Sequence, residues 1–118
     1  MKTYRDLDVW QKAVELVLAT HELAASYPDG GAALADLSRR AAIAVPARIA
    51  EGHARLNRKD YLRYLSMAKG AVAELETHLV LAARLHYVKP GNTKKAWALA
   101  QDVEGLLRQL MEAIERGI

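Results

Sequence analysis

Residues 57–86, NRKDYLRYLSMAKGAVAELETHLVLAARLH, decide the fold. Apolar residues recur at Tyr61, Leu65, Ala68, Val72, Leu75, Leu79 and Ala82 and the series ends on His86, in alternating steps of four and three. Steps of that size place every one of these side chains on one face of a helix, whereas a strand would need alternate positions. Asn57 supplies a side-chain oxygen for the first free N–H groups, and Asp60 brings negative charge to the first turn, where the helix dipole favours it.

Working outward, a second helix is predicted from about Ala32 towards His53, with Leu34, Leu37, Ala41, Val45 and Ile49 on its inner face. Pro46 removes a donor and crowds the preceding turn, so a kink or break is expected near Ala42 to Pro46, and Gly52 is where the helix would loosen or stop. Ahead of it, a first helix follows Asp6 and Asp8. One of its stripes is Trp10, Val14, Val17, His21 and Ala24, and the next is Val9, Ala13, Leu16, Thr20, Leu23 and Tyr27, ending at Pro28-Asp29-Gly30-Gly31. Beyond a turn at Lys89-Pro90-Gly91-Asn92, with Asn92 or Thr93 as cap, a fourth helix carries Ala96, Ala100, Val103, Leu107, Leu110 and Ile114, and Gly117 follows its end. β-branched residues fall on helical positions throughout, so no strand is expected. Four helices of about 20 residues joined by short turns predict an all-α, antiparallel up-down-up-down four-helix bundle, kinked near Pro46 in helix two, as one domain over residues 1–118. Trp10, Trp97, Leu18, Leu62, Leu81 and Leu106 lie off the narrowest seams; they either widen the core or cover a second subunit.

Composition narrows the function classes. The chain has 118 residues, 52% hydrophobic and 26% charged, which is enough to bury a core without staples and too apolar for a disordered protein. The lack of cysteine removes thiolate metal sites, thiol nucleophiles and redox motifs. The opening MKTYRDLDVW is charged where a signal peptide would be apolar, and no run approaches a membrane span, so a cytoplasmic protein without membrane contact is expected.

The net charge of +3 is unevenly spread. Between Arg39 and Lys69 eight basic residues meet two acidic ones, leaving nine basic against twelve acidic elsewhere. Arg55, Arg58, Lys59 and Arg63 straddle the turn between helices two and three, with Tyr61 and Tyr64 among them. Two readings stay open: a surface for RNA phosphates with occasional base stacking, or a solvated surface whose arginines pair with Glu51, Asp60 or a neighbouring subunit.

Enzyme chemistry finds little to stand on. Glu74 and His78 share a helix face at a spacing of four, but the carboxylate-to-histidine spacing of three used by di-iron bundles is missing. His21 and His86 fall on apolar stripes, where a packed histidine is the ordinary occupant. No serine sits in an elbow motif, and Asp29-Gly30-Gly31 lacks the lysine of a phosphate loop. No catalytic residue, cofactor or metal is expected. Gly70, inside helix three, is expected to mark the close approach of another helix.

Several strings together resemble one family: YRDLDVWQKAVELV at residues 4–17, LSRRAAIAVPARIAEG at 37–52, DYLRYLSMAKGAVAELETHL at 60–79 and RLHYV at 84–88. In order and spacing these are similar to the 23S rRNA intervening sequence proteins. Tyr27, His53 and Tyr64 stand where that family often has phenylalanine. The resemblance implies a helical bundle forming a homo-oligomer, commonly a pentameric ring, similar in architecture to the accessory proteins of diversity-generating retroelements, which work with a reverse transcriptase and nucleic acid. The family's name reflects gene location, which is not a mechanism. Glu51, Glu74 and Glu76 occupy the family's motif positions, and their expected role is in structural ion pairs with arginines such as Arg39, Arg40 and Arg48. Two functions follow as expectations: a non-enzymatic homo-oligomeric scaffold or adaptor for RNA or a nucleic-acid-processing partner, or an assembly whose only partners are proteins.

Overall fold

The computed structural model describes residues 3–117. Among them lie a 3₁₀ turn at Tyr4–Asp6, helix α1 at Asp8–Ala24, a 3₁₀ turn at Asp29–Gly31, α2 at Ala32–His53, α3 at Arg58–Arg84, a 3₁₀ turn at Pro90–Thr93 and α4 at Lys94–Glu115, with no strand. Helix α2 packs on α1 and α3, and α4 closes the bundle against the same two. At 1.5 Å per residue α3 is about 40 Å long, close to the 46 Å long axis of the molecule.

Contacts run in opposite order along neighbouring helices. Gly31, just before α2, faces Tyr87 beyond the end of α3, while Gly52 near the end of α2 faces Tyr61 and Tyr64 in the first turns of α3. Lys69 lies 4.0 Å from Glu104, and Gln101 donates to Glu76 one α3 turn or more further on. The core is the stripe the periodicity describes: Leu65, Ala68, Val72, Leu75 and Leu79 from α3, Ala96, Ala100, Val103 and Leu107 from α4, Val9, Ala13 and Leu16 from α1, and Val45 and Ile49 from α2. Each of its larger side chains contributes on the order of 1.5–3 kcal/mol by leaving water.

Several local expectations are corrected. Of the kink or break expected near Pro46, the break is absent: α2 is one helix from Ala32 to His53. Its inner face holds at Ala41, Val45 and Ile49 but departs at the N-terminal half, where Ala35, Ser38 and Ala42 are buried and Leu37 is 49% exposed. Ser38 makes this possible by donating its hydroxyl to the Leu34 carbonyl at 2.8 Å, so a polar residue enters the core with its donor used. His21 is exposed rather than packed. Thr93 holds the N-cap position of α4 but makes no side-chain capping bond; the 3₁₀ turn runs straight into the helix, and the Thr93 hydroxyl donates to the Pro90 carbonyl instead. Asn57 does cap α3, accepting from the Asp60 N–H at 2.8 Å.

His86 does not extend the α3 stripe. The helix ends at Arg84, and His86 follows at φ 62°, the one described non-glycine residue in the left-handed region. Its N–H reaches the Ala83 carbonyl, and the Tyr87 N–H reaches Ala82. That pair of bonds is the helix-ending motif usually built on glycine. It aims Tyr87 at the α1–α2 turn, where its ring packs on Gly31 and on Tyr27, 5.8 Å away, and its hydroxyl donates to the Gly30 carbonyl.

The close approach expected at Gly70 occurs at Gly52. A side chain on Gly70 would meet nothing, whereas a Cβ on Gly52 would stand 2.9 Å from the Tyr64 Cβ. Gly70→Ala should therefore stabilise the protein by up to about 1 kcal/mol through helix propensity. Gly52→Ala should destabilise it by about 1–2 kcal/mol, since overpacking outweighs the same gain. His86→Gly should add about 0.5–1 kcal/mol by relieving the left-handed residue. Urea denaturation of the three variants measures all of these.

Candidate nucleic-acid interface

The turn between α2 and α3 gathers the basic residues at one end of the bundle. Gly52 lets Tyr61 and Tyr64 press against α2, and this contact fixes where Tyr64 stands. The Arg55 guanidinium lies over the Tyr64 ring, 4.5 Å from its centroid, and Nη2 donates to the phenol oxygen at 2.5 Å. The Arg63 guanidinium lies over the same ring at 4.8 Å. A ring's negative face attracts each cation, so Tyr64 draws two exposed guanidinium groups to one ring. Asp60 is 3.8 Å from Arg63, beyond direct hydrogen-bonding distance. Arg55 and Lys59 are exposed and form no ion pair among the described residues.

Arg58 is placed differently. Its Nη2 stands 3.2 Å from where a Cβ on Gly117 would sit, so the side chain reaches across to the end of α4. Carbonyls left free at a helix C-terminus carry partial negative charge that a guanidinium there offsets. The four residues of the basic turn thus divide into Arg55 and Arg63 on Tyr64, Lys59 in solvent, and Arg58 at the α4 end.

Tyr61 is not free for base stacking. It is half-buried, its ring meets His53 edge-on at 5.9 Å, and burial pushes its phenol above the ordinary tyrosine value. Tyr27, at the other end, is shifted the same way by burial, with the adjacent Ser38 hydroxyl opposing; the geometry between them falls short of a hydrogen bond for the Tyr27 hydroxyl.

The residues expected in ion pairs behave unequally. Arg48 pairs with Glu51 at 2.5 Å and Arg40 with Asp36 at 3.8 Å, both within α2 and both partly or largely exposed, so each contributes at most about 1 kcal/mol. Glu74 lies 3.8 Å from the Nε2 of His78. Glu76 accepts from Gln101 rather than from an arginine. Arg39 has a buried Nε with no hydrogen-bond partner among the described residues, and His78 has a buried Nδ1 in the same condition. The other histidines lie apart from His78, and no group of three or more histidines and carboxylates among the described residues is arranged to hold a metal.

Periodicity did not disclose the role of Tyr64. Arg55 lies beyond the end of α2, nine residues before the tyrosine, and no helical spacing rule joins the two. Apolar surface is the other outward feature. Trp10, Val14 and Val17 of α1 and Ile43, Pro46, Ala47 and Ala50 of α2 line an open groove of about 350 Å³. Leu18 is 65% exposed and Ile43 53%, with Leu37, Leu81, Leu85 and Trp97 also in water.

Helix order, packing and the basic end define a four-helix bundle with one polarised, cationic turn. The chain matches the family described as 23S rRNA-intervening sequence protein over residues 5–109, and it belongs to that family. No curated protein matches it. The matched region includes every residue of the basic turn and all but the end of α4.

Burial of the tyrosines sets an alkaline limit. With its pKa raised in the folded state, Tyr61 stays protonated after the unfolded chain has begun to ionise above pH 10, so ionisation stabilises the unfolded state relative to the folded one. Stability from this group is intact below pH 10 and falls as pH rises through the folded value. Tyr61→Phe should flatten the loss of stability between pH 9 and 11, measured by urea denaturation across that range.

Proposed function

We propose that this protein is a non-enzymatic, cytoplasmic, homo-oligomeric scaffold that binds RNA, alone or within a ribonucleoprotein, through the basic turn between α2 and α3. The observation that carries this reading is an exposed set of cations with little acidic compensation: Arg55 and Arg63 gathered on Tyr64, with Lys59 beside them in the sequence at the start of α3. A structural role would consume such charges in ion pairs, as Glu51 consumes Arg48. Among the described residues no acid pairs with Arg55 or Lys59, and Arg63 has only a loose, exposed pair with Asp60 at 3.8 Å. Phosphates meet that need. No described helix is long and apolar enough to cross a membrane, in keeping with a partner met in solution.

Oligomerisation belongs to the same proposal. The α1–α2 groove and the exposed Leu18, Leu37, Ile43 and Trp97 give a monomer more apolar surface than scattered single residues account for. A ring of copies, a pentamer on the family resemblance, would repeat the basic turn and multiply its hold on one RNA by avidity. The second reading, an assembly that binds only proteins, rests on these same apolar residues.

The test is RNA binding across a salt series alongside light scattering. Wild-type protein freed of nucleic acid should bind a structured RNA at low salt and lose affinity log-linearly as salt rises. Arg55→Glu with Lys59→Glu should weaken binding at least tenfold and leave the oligomer intact. Dissociation of that variant into monomers would transfer the charges to the subunit interface and favour the protein-only assembly.

A further inference from the structure

The proposed RNA reading leaves open what part of a nucleic acid the turn recognises, and on that reading the geometry around Tyr64 points to an answer. We propose that Arg55, Tyr64 and Arg63 form a clamp for the phosphodiester backbone, with the two guanidinium groups as ligands and Tyr64 as a positioning residue, so that RNA is held without regard to its bases.

Three observations support the clamp. First, the ring at this end that would stack a base is already taken: both guanidinium groups lie over Tyr64, at 4.5 and 4.8 Å, and Tyr61 is packed against Gly52 and His53. Secondly, two cations are held against one ring with donors left over for an anion. Of its five N–H donors, Arg55 shows one engaged, on the Tyr64 hydroxyl, and Arg63 stays beyond bonding distance of Asp60. The remaining donors are arranged in planar forks that match the two free oxygens of a phosphodiester. Thirdly, the clamp is pre-organised by the fold. The Tyr64 Cβ is seated against the bare Gly52 backbone, and its hydroxyl accepts from the more distant arginine across the turn, so ring and guanidinium hold each other in place. Cations that must not reorganise on binding lose less conformational entropy than free surface arginines.

An acidic peptide offers carboxylates to the same forks. The phosphodiester is favoured because Lys59 and the first turn of α3 extend the cationic surface beyond the clamp, which suits a continuous polyanion.

The experiment measures binding of a fluorescein-labelled oligouridylate by anisotropy between about 50 and 200 mM salt. It compares wild type with Arg55→Ala/Arg63→Ala, Arg55→Lys/Arg63→Lys, Tyr64→Leu and Lys59→Glu, each checked for helicity by circular dichroism. The double alanine variant should bind about tenfold more weakly, with a log–log salt slope shallower by roughly 1.4, the share of two phosphate contacts on a single strand. The double lysine variant should keep the wild-type slope but bind about threefold more weakly, since charge remains and the forks are lost. Tyr64→Leu should do the same, which a purely structural tyrosine would not. An abasic oligomer of equal length should compete within about threefold of oligouridylate, and polyglutamate should compete far less well.

Wild-type slope and affinity in the double alanine variant would overturn the clamp; if Lys59→Glu still weakened binding, RNA recognition by this end would survive without it. An abasic oligomer that competed poorly would also overturn the clamp, by showing that bases are read. Equal competition by polyglutamate would reassign the site to acidic proteins. Absence of wild-type binding at low salt would remove both the clamp and the RNA reading beneath it.

Discussion

The approach of α2 to α3 at Gly52 governs more of this molecule than any other contact. With no side chain at that position, the α2 backbone comes within reach of the Cβ of Tyr64 and the ring and carbonyl of Tyr61. Neighbouring turns then close over Ile49, Leu65 and Ala68, which are wholly buried. The same contact bears on the surface, because the ring of Tyr64 springs from that seated Cβ and is held further by the Arg55 bond to its hydroxyl. Arg55 and Arg63 are positioned by that ring, so a packing constraint in the core determines the geometry of two exposed cations.

The two ends of the bundle are built on different terms. At the α2–α3 turn, packing is close and the polar groups face water. At the opposite end, polar side chains enter the interior: Thr20 and Ser38 are 1% and 0% exposed, and the hydroxyls of Thr20 and Tyr27 have no bonding partner among the described residues. Each unsatisfied hydroxyl costs about 1–3 kcal/mol. Tyr87 offsets part of that cost, since its hydroxyl and ring tie the end of α3 to the α1–α2 turn. His86 must adopt a left-handed conformation to deliver it. Local unfolding should therefore begin at this end, and the basic turn lies on the more securely packed one.

Much of this fold was legible in the sequence, and the reason is geometric. An unbroken alternation of fours and threes defines a helical stripe wherever the partners lie, so the buried faces of α3 and α4 agree with the reading almost residue for residue. Helix α2 is rich in alanine, and small residues spread round the helix do not fix the stripe's direction; Leu37 belongs to the inner stripe by spacing and stands half in water. Glycine misleads for a related reason. Nothing in the sequence distinguishes Gly70, facing open space, from Gly52, facing two tyrosines, because the difference belongs to the neighbouring helix. His86 likewise continues the stripe by number and leaves it by backbone conformation.

The candidate site was legible as a charge pattern and not as a geometry. Arg39 and Arg40 belong to the basic stretch by position, yet thirteen or more residues of helix separate them from the end of α2, about 20 Å at 1.5 Å per residue. Across that distance at physiological salt their contribution at the turn is largely screened. Arg58 leaves the cluster as well, its guanidinium standing beside Gly117 at the end of α4, a neighbour that only the folded bundle brings there. What remains is smaller than the sequence suggested and more ordered. The concentration of charge comes from Tyr64, which gathers one arginine from beyond the end of α2 and another from its own helix, so that the turn's electrostatics depend on an uncharged residue.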